Sequence, residues 1–132
     1  LMGGKRPAGF NKGFYYEPTV FDNVEDNFTI MKEEPFGPLV PMLSFKNFDE
    51  VIERSNNNDL GLCSYICTNS MEKANKASEL METGVVAVNT PVVAIAEAPF
   101  GGIKQTGYGR EGGSNAIKDY LNVKYTHLGI KG

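Results

Sequence analysis

The most distinctive stretch of this sequence is "APFGGIKQTGYGREGG" (residues 98–113), and its second half holds a familiar glycine pattern. Residues 107–112, "GYGREG", match G-x-G-x-x-G, the pattern that cradles phosphates in dinucleotide-binding folds. Because 15 of the 132 residues are glycine, about 0.2 accidental matches are expected. The pattern alone is therefore a weak signal, and the residues around it must decide whether it binds a nucleotide.

The surroundings of this motif do not fit a dinucleotide-binding fold. Such a fold needs a buried strand before the first glycine, a helix at the third, and an acidic residue about 20 positions further on. Residues 99–106, "PFGGIKQT", do not predict a buried strand, and the chain ends 20 residues after Gly112. The glycines are expected to allow a sharp turn, with Arg110 and Glu111 as structural anchors. A stand-alone dinucleotide-binding or interaction module remains the weaker alternative.

Hydrophobic patterning predicts an alternation of strands and helices. Asn47 and Glu50 have the spacing of a capping box, and Ser70 is placed to cap a second helix that Gly84 ends. Pro41 disfavours a regular central strand at its position. The order of elements is typical of α/β architecture. Strands are expected at 14–24, 39–45, 62–68, 85–89 and 123–128, and helices at 47–59, between Ser70 and Gly84, and at 114–121.

Composition and charge exclude several classes of protein. A net charge of −3 and a pI near 5.2 argue against nucleic acid or an acidic membrane surface as a partner. The longest apolar run, Val92–Ala96, is too short to span a bilayer, and no secretory signal opens the chain. Two cysteines without a disulfide framework predict a cytoplasmic setting. Because Leu1 precedes Met2, the chain is expected to be a piece of a longer protein or the product of tag cleavage.

Residue chemistry alone offers few candidates for a site. Glu33 and Glu34 point to opposite sides of an extended chain, so one could face a ribose diol, although a solvated acidic loop is the simpler interpretation. Cys63 and Cys67 lack a second ligand pair or a neighbouring base, which predicts packed, inert thiols. His127 is expected at the surface. No catalytic residue and no metal site is predicted.

Several stretches taken together resemble one family. "GFYYEPTVFDNV" (13–24), "KEEPFGPLVPMLSF" (32–45) and "NDLGLCSYICT" (58–68) are similar to successive C-terminal segments of NAD(P)-dependent aldehyde dehydrogenases. Residues 98–113 and "IKDYLNVKYTHLG" (117–129) continue the series. The patterns E-E-x-F-G-P and P-F-G-G-x-K-x-[ST]-G-x-G-R-E-x-G are long and ordered, and the tail looks most like the succinate-semialdehyde dehydrogenase branch.

This resemblance implies an α/β fold in which residues 1–113 are the C-terminal part of the catalytic domain. Residues 114–132 would be a terminal helix and an oligomerisation strand or arm. The parent enzyme would oxidise an aldehyde, such as a semialdehyde, to a carboxylic acid with NAD or NADP, through attack by a cysteine thiolate. Its nucleophilic Cys and general-base Glu have no match here, since "LMGGKRP" (1–7) departs from E-L-G-G-K. The chain should therefore be inactive alone, with the remainder of its subunit and further copies as partners.

The resemblance also assigns roles to four residues. Glu34 would bind the nicotinamide ribose, and Phe36 would pack beside the nicotinamide. Phe100 would line the aldehyde pocket. Ile95 stands where the succinate-semialdehyde branch has a serine that holds the substrate carboxylate. Because isoleucine cannot donate a hydrogen bond, a less polar aldehyde is favoured.

Overall fold

The computed structural model describes residues 2–130 and 132, and the chain divides into two compact units, 1–51 and 52–132. None of the helices in the described part combines the length and the hydropathy that crossing a bilayer requires. The strands are β1 (Thr19–Phe21), β2 (Leu39–Pro41), β3 (Leu60–Gly61), β4 (Cys63–Ile66), β5 (Val85–Val88) and β6 (Ile103–Lys104), and the helices are α1 (Thr29–Lys32), α2 (Phe48–Asn56), α3 (Met71–Leu80) and a 3₁₀ helix at Ala116–Tyr120.

The first unit is built on a parallel pair of short strands. Strands β1 and β2 pair in register from Thr19 opposite Leu39 to Phe21 opposite Pro41, with α1 in the connection. Thr19 is only 1% exposed, yet its hydroxyl accepts the Gly4 N–H and donates to the Glu17 carbonyl, both at 2.8 Å. These bonds satisfy a buried polar group that would otherwise destabilise the unit. Pro41 occupies the end of β2, a position that tolerates its missing N–H.

The second unit contains a longer strand–helix–strand element. Strands β4 and β5 are parallel over four residue pairs, from Cys63 opposite Val85 to Ile66 opposite Val88, and α3 connects them. The buried apolar side chains of this unit come from α3 and β5: Ala74, Ala77 and Ala87. Strands β3 and β6 form a separate antiparallel pair. The predicted α/β alternation is confirmed in both units.

Both predicted helix caps are present. The Asn47 side-chain oxygen accepts the Glu50 N–H at 2.9 Å, and the Glu50 carboxylate accepts the Lys46 N–H at 2.8 Å. The Ser70 hydroxyl accepts the Lys73 N–H at 3.3 Å. The bonds from the Glu50 and Lys73 N–H groups satisfy first-turn donors that have no partner within the helix, so each helix begins where the sequence predicts.

The end of α3 differs from the prediction, because the helix stops at Leu80 and not at Gly84. The cause is a side chain from α2. The Asn56 amide nitrogen donates to the Leu80 carbonyl at 2.8 Å, and its oxygen accepts the Glu82 N–H at 2.9 Å. A long-range side chain therefore replaces the next turn of the helix.

The C-terminal region differs most from the predictions. The helix expected at 114–121 is a 3₁₀ helix of five residues, Ala116–Tyr120. The strand expected at 123–128 is wrong for the single chain, since residues 122–130 carry no strand assignment and are exposed throughout. A strand needs a neighbour to take up its backbone hydrogen bonds, and the described part of the chain offers it none.

Candidate functional site

The turn between α1 and β2 carries two of the predicted site residues, Glu34 and Phe36. Phe36 is the central residue of a three-residue turn in which the Gly37 N–H donates to the Pro35 carbonyl at 2.9 Å. The Leu39 N–H closes a second such turn on the Gly37 carbonyl at 2.8 Å. The Phe36 ring is 94% exposed, and Glu34 is exposed beside it. A stiff turn therefore presents a carboxylate and an aromatic ring to solvent.

The backbone at Glu33 separates the two adjacent carboxylates of this turn. Glu33 ends α1 with φ −108° and ψ 135°, which is extended backbone. Successive side chains of extended chain point to opposite sides, so Glu33 and Glu34 do not share a face. The prediction that they cannot act as one acid–base pair agrees with this geometry.

The other two predicted site residues, Ile95 and Phe100, lie in one loop of the second unit. This wall segment (residues 95–102) is held by a return segment (residues 109–113) that runs antiparallel to it. Phe100 and Glu111 exchange two backbone hydrogen bonds of 2.7 Å, and the Gly113 N–H donates to the Ala96 carbonyl at 2.8 Å. The structure therefore brings both residues into one loop, where Phe100 is half-buried and Ile95 is 49% exposed.

Glycine is required at Gly112, where the return segment passes close to the wall segment. Gly112 has φ +68°, and a Cβ there would lie 2.7 Å from the Ala98 carbonyl oxygen. A side chain would therefore meet both backbone strain and a steric clash. The glycine at this position thus allows the close contact between the wall segment and the return segment.

Arg110 joins the same two segments through its side chain. Its guanidinium donates from one nitrogen to the carbonyls of Gly102 at 2.8 Å, Gly109 at 2.9 Å and Tyr108 at 3.2 Å. Its backbone N–H donates to the Asp119 carboxylate at 3.0 Å. The prediction that Arg110 is a structural anchor is confirmed.

Three backbone N–H groups of "GYGREG" are used for contacts within the chain. The N–H groups of Gly107, Arg110 and Glu111 donate to Lys104, Asp119 and Phe100 of the chain itself. The helix that follows is a five-residue 3₁₀ helix, and the strand before it, β6, has two residues and is antiparallel. The local structure at this motif therefore differs from the strand–glycine turn–helix arrangement of a dinucleotide-binding fold.

Phe100 lines a cleft of about 380 Å³ at the surface of the second unit. The wall segment and return segment form most of its lining, and the 3₁₀ helix contributes Asp119 and Tyr120. The full lining is Leu62, Phe100, Gly101, Gly102, Thr106, Gly107, Tyr108, Gly109, Arg110, Glu111, Asp119 and Tyr120. The cleft thus combines aromatic side chains with two carboxylates, and Phe100 has access to it.

Sequence reasoning did not identify Lys104, which ties the far end of this loop to the rest of the second unit. Lys104 has φ +55°, an uncommon conformation for a residue with a side chain. Its ammonium group donates to the carbonyls of Asn56 at 2.8 Å and Asn58 at 3.0 Å, where α2 ends. The positive charge suits a helix C-terminus. The lysine of P-F-G-G-x-K was the available signal, but its acceptors lie more than 40 residues away.

The cysteines and the histidine do not form a site in the described residues. Cys63 is half-buried, but Cys67 is exposed, so the prediction of a packed thiol is wrong there. The side-chain hydrogen bond with Cys63 raises the pKa of the Tyr65 hydroxyl above its ordinary value. His127 is exposed, as predicted, with its Nδ1 3.0 Å from the Tyr125 hydroxyl. Among the described residues no group of three His, Cys, Asp or Glu side chains could hold a metal ion.

The chain is similar to known proteins over nearly its whole length, including the two loops described above. The sequence model described as "Aldehyde dehydrogenase family" matches residues 1–126. Retinal dehydrogenase 2 of Gallus gallus is 49% identical over 119 residues, which are 90% of this chain and 23% of that protein. Mitochondrial succinate-semialdehyde dehydrogenase of Arabidopsis thaliana is 42% identical over 130 residues, 98% of this chain and 24% of that protein.

A solved structure matches the fold as well. The NAD+ complex of an aldehyde dehydrogenase from Bacillus cereus superposes with a TM-score of 0.89 at 43% identity, covering 98% of this chain and 26% of that one. The chain therefore spans about a quarter of the length of the proteins that it matches.

Proposed function

Since the chain belongs to the aldehyde dehydrogenase family, we propose that it is the C-terminal part of an enzyme that oxidises an aldehyde to a carboxylic acid with NAD or NADP. Residues 1–113 are the end of the catalytic domain, and residues 114–132 are the terminal helix and assembly arm. The nucleophilic Cys and the general-base Glu belong to the remainder of the subunit. Alone, the chain does not turn over aldehyde.

The exposed turn at Glu34 and Phe36 is the observation that carries this proposal. A carboxylate accepts two hydrogen bonds from the vicinal hydroxyls of a ribose, and an aromatic ring packs on a flat nicotinamide. Both side chains are accessible on a turn that two backbone hydrogen bonds fix. Glu34 and Phe36 would hold the nicotinamide riboside of the coenzyme in one orientation, and the bound coenzyme would supply the hydride acceptor.

The wall segment supplies one side of the aldehyde pocket. Phe100 offers an aromatic surface, and the half-exposed Ile95 offers an aliphatic one without a hydrogen-bond donor. A substrate carboxylate would lose its hydration at Ile95 and gain no partner there. The substrate is therefore a less polar aldehyde than a dicarboxylic semialdehyde.

The tail (residues 122–132) is the assembly arm of a homo-oligomer. Apolar side chains recur along its exposed residues 122–130, including Val123, Tyr125 and Leu128. Such a segment can add a strand to the sheet of another copy, where its backbone and side chains find partners. With two unpaired cysteines, the setting of this assembly is the cytoplasm.

A chimera tests the proposal with activity as the readout. Residues 1–132 replace the matching quarter of the Bacillus cereus aldehyde dehydrogenase, and reduced coenzyme is followed with aldehydes of increasing polarity. The chimera should be active. The Bacillus cereus protein that lacks this quarter and carries no replacement should be inactive. Turnover by the isolated chain, or an inactive chimera that is folded, would contradict the proposal.

The coenzyme contact has a matched control one residue away. In the chimera, Glu34→Gln should raise the KM for coenzyme by about tenfold or more, as expected for the loss of a charge-assisted hydrogen bond. Glu33→Gln removes the same charge from the opposite side of the chain and should change that KM by less than about threefold. Equal effects of both variants would assign Glu34 to general electrostatics and not to the ribose.

A further inference from the structure

The 3₁₀ helix contributes to the lining of the cleft beside Phe100. Asp119 and Tyr120 of that helix line the cleft together with Phe100. The Asp119 carboxylate accepts the Arg110 N–H at 3.0 Å. One carboxylate therefore connects the root of the tail to the return segment.

A short series of contacts leads from Asp119 to Phe100. The Arg110 guanidinium donates to the Gly102 carbonyl at 2.8 Å, and a Cβ on Gly101 would lie 2.8 Å from the Arg110 Cδ. The next residue, Glu111, exchanges two backbone hydrogen bonds of 2.7 Å with Phe100. Holding the Arg110 peptide in place thus fixes both the side chain and the backbone that support Phe100.

We propose that Asp119 is a positioning residue for the pocket wall at Phe100, acting through Arg110. The inference rests on the proposed role of Phe100 in lining the aldehyde pocket. Asp119 lies two residues before Leu121, which ends the 3₁₀ helix and leads into the tail.

The test compares two substitutions of the same size. Asp119→Leu removes the acceptor, whereas Asp119→Asn removes the charge but keeps an oxygen that can accept the Arg110 N–H. Hydrogen exchange of the full 132-residue chain reports the Phe100 and Glu111 amides. In D119L their exchange should rise at least about tenfold, and in D119N less than about threefold. Glu79→Leu, at an exposed carboxylate of α3, is the matched surface control.

The amides of Val85 and Asn89 show whether the rest of the second unit stays folded, since they donate to the Leu62 and Ile66 carbonyls of the β4 region. If D119L unfolds the unit, Asp119→Ala repeats the comparison without adding an apolar side chain. Unchanged protection of Phe100 and Glu111 in the acceptor-free variant overturns the proposal. An equal rise in the exchange of these two amides in D119L and D119N also overturns it, because loss of the charge alone would then explain the effect.

The same variants in the chimera separate this inference from the proposed function. D119L should raise the KM for aldehyde and leave the KM for coenzyme unchanged, and D119N should restore the aldehyde KM. An active chimera in which D119L leaves the aldehyde KM unchanged refutes the positioning role and keeps the function. A folded but inactive chimera refutes the function, while hydrogen exchange in the chain still decides the role of Asp119.

Discussion

The Lys104 ammonium group lies 2.6 Å from the Glu82 carboxylate, and this ion pair joins the end of β6 to the segment after α3. The same ammonium donates to the carbonyls of Asn56 and Asn58 at the end of α2. Three parts of the second unit that are distant in sequence therefore meet at one charge. These contacts hold Lys104 at φ +55° and offset the strain of that backbone conformation.

Removing this charge should destabilise the chain. Lys104→Met keeps most of the side-chain volume and should lower the free energy of unfolding by about 1–3 kcal/mol, because two carbonyls and a carboxylate lose their donor. Urea denaturation followed by circular dichroism measures the change. Glu82→Gln is the matched control and should cost less than about 1 kcal/mol, since the Glu82 side chain is 54% exposed. A larger loss for E82Q than for K104M would show that the carbonyl contacts do not matter.

Two glycines of the return segment, Gly109 and Gly112, should differ sharply in their tolerance of a methyl group. Gly112→Ala should cost about 1–3 kcal/mol, because φ is +68° and the new Cβ would press on the Ala98 carbonyl. At Gly109 the nearest atom to a new Cβ is the Asp119 carboxylate at 3.4 Å, an ordinary contact. Gly109→Ala should therefore change stability by less than about 0.5 kcal/mol. Thermal unfolding of both variants checks the contrast, and equal losses would contradict it.

The hydrogen bond between Cys63 and Tyr65 predicts a change in titration. Cys63→Ala should lower the pKa of Tyr65 toward the ordinary value for tyrosine, because the largest cause of its elevation is removed. Phenolate absorbance during an alkaline titration measures this, with Tyr65→Phe identifying the signal. A raised pKa in the folded chain means that the associated stability is present below the unfolded pKa of about 10 and is lost as pH rises through the folded value. An unchanged titration in C63A would refute the assignment.

The exposed tail should control association between copies. Deleting residues 122–132 should convert the assembled chimera into a smaller species in sedimentation velocity. Tyr125→Pro removes one backbone donor and should have the same effect if the tail pairs as a strand. Tyr125→Thr is the control, since it keeps the N–H and a β-forming side chain. An assembly that survives the deletion would show that the tail is not the arm.

Local signals in the sequence predict the second unit well. Ser70, the alanines of α3 and the valines of β5 carry their information within a few residues, so the strand–helix–strand element follows from them. The contacts of Lys104 and Asn56 span more than 20 residues, and no local pattern encodes such distances. At 123–128 the sequence predicts a strand that the single chain does not form. Alternation of side chains indicates a strand, but it cannot supply the neighbour that a strand requires.

Pro35 and Pro38 flank the turn that carries Phe36, and a proline ring fixes its own φ. The turn therefore has few conformations to lose when a ligand settles on it, because most of its ordering entropy is already lost on folding. A ligand gripped by only one carboxylate and one ring can then be held with useful affinity. Such a ligand would also leave quickly, since its release requires no part of this turn to unfold, and the proposed coenzyme role calls for that exchange.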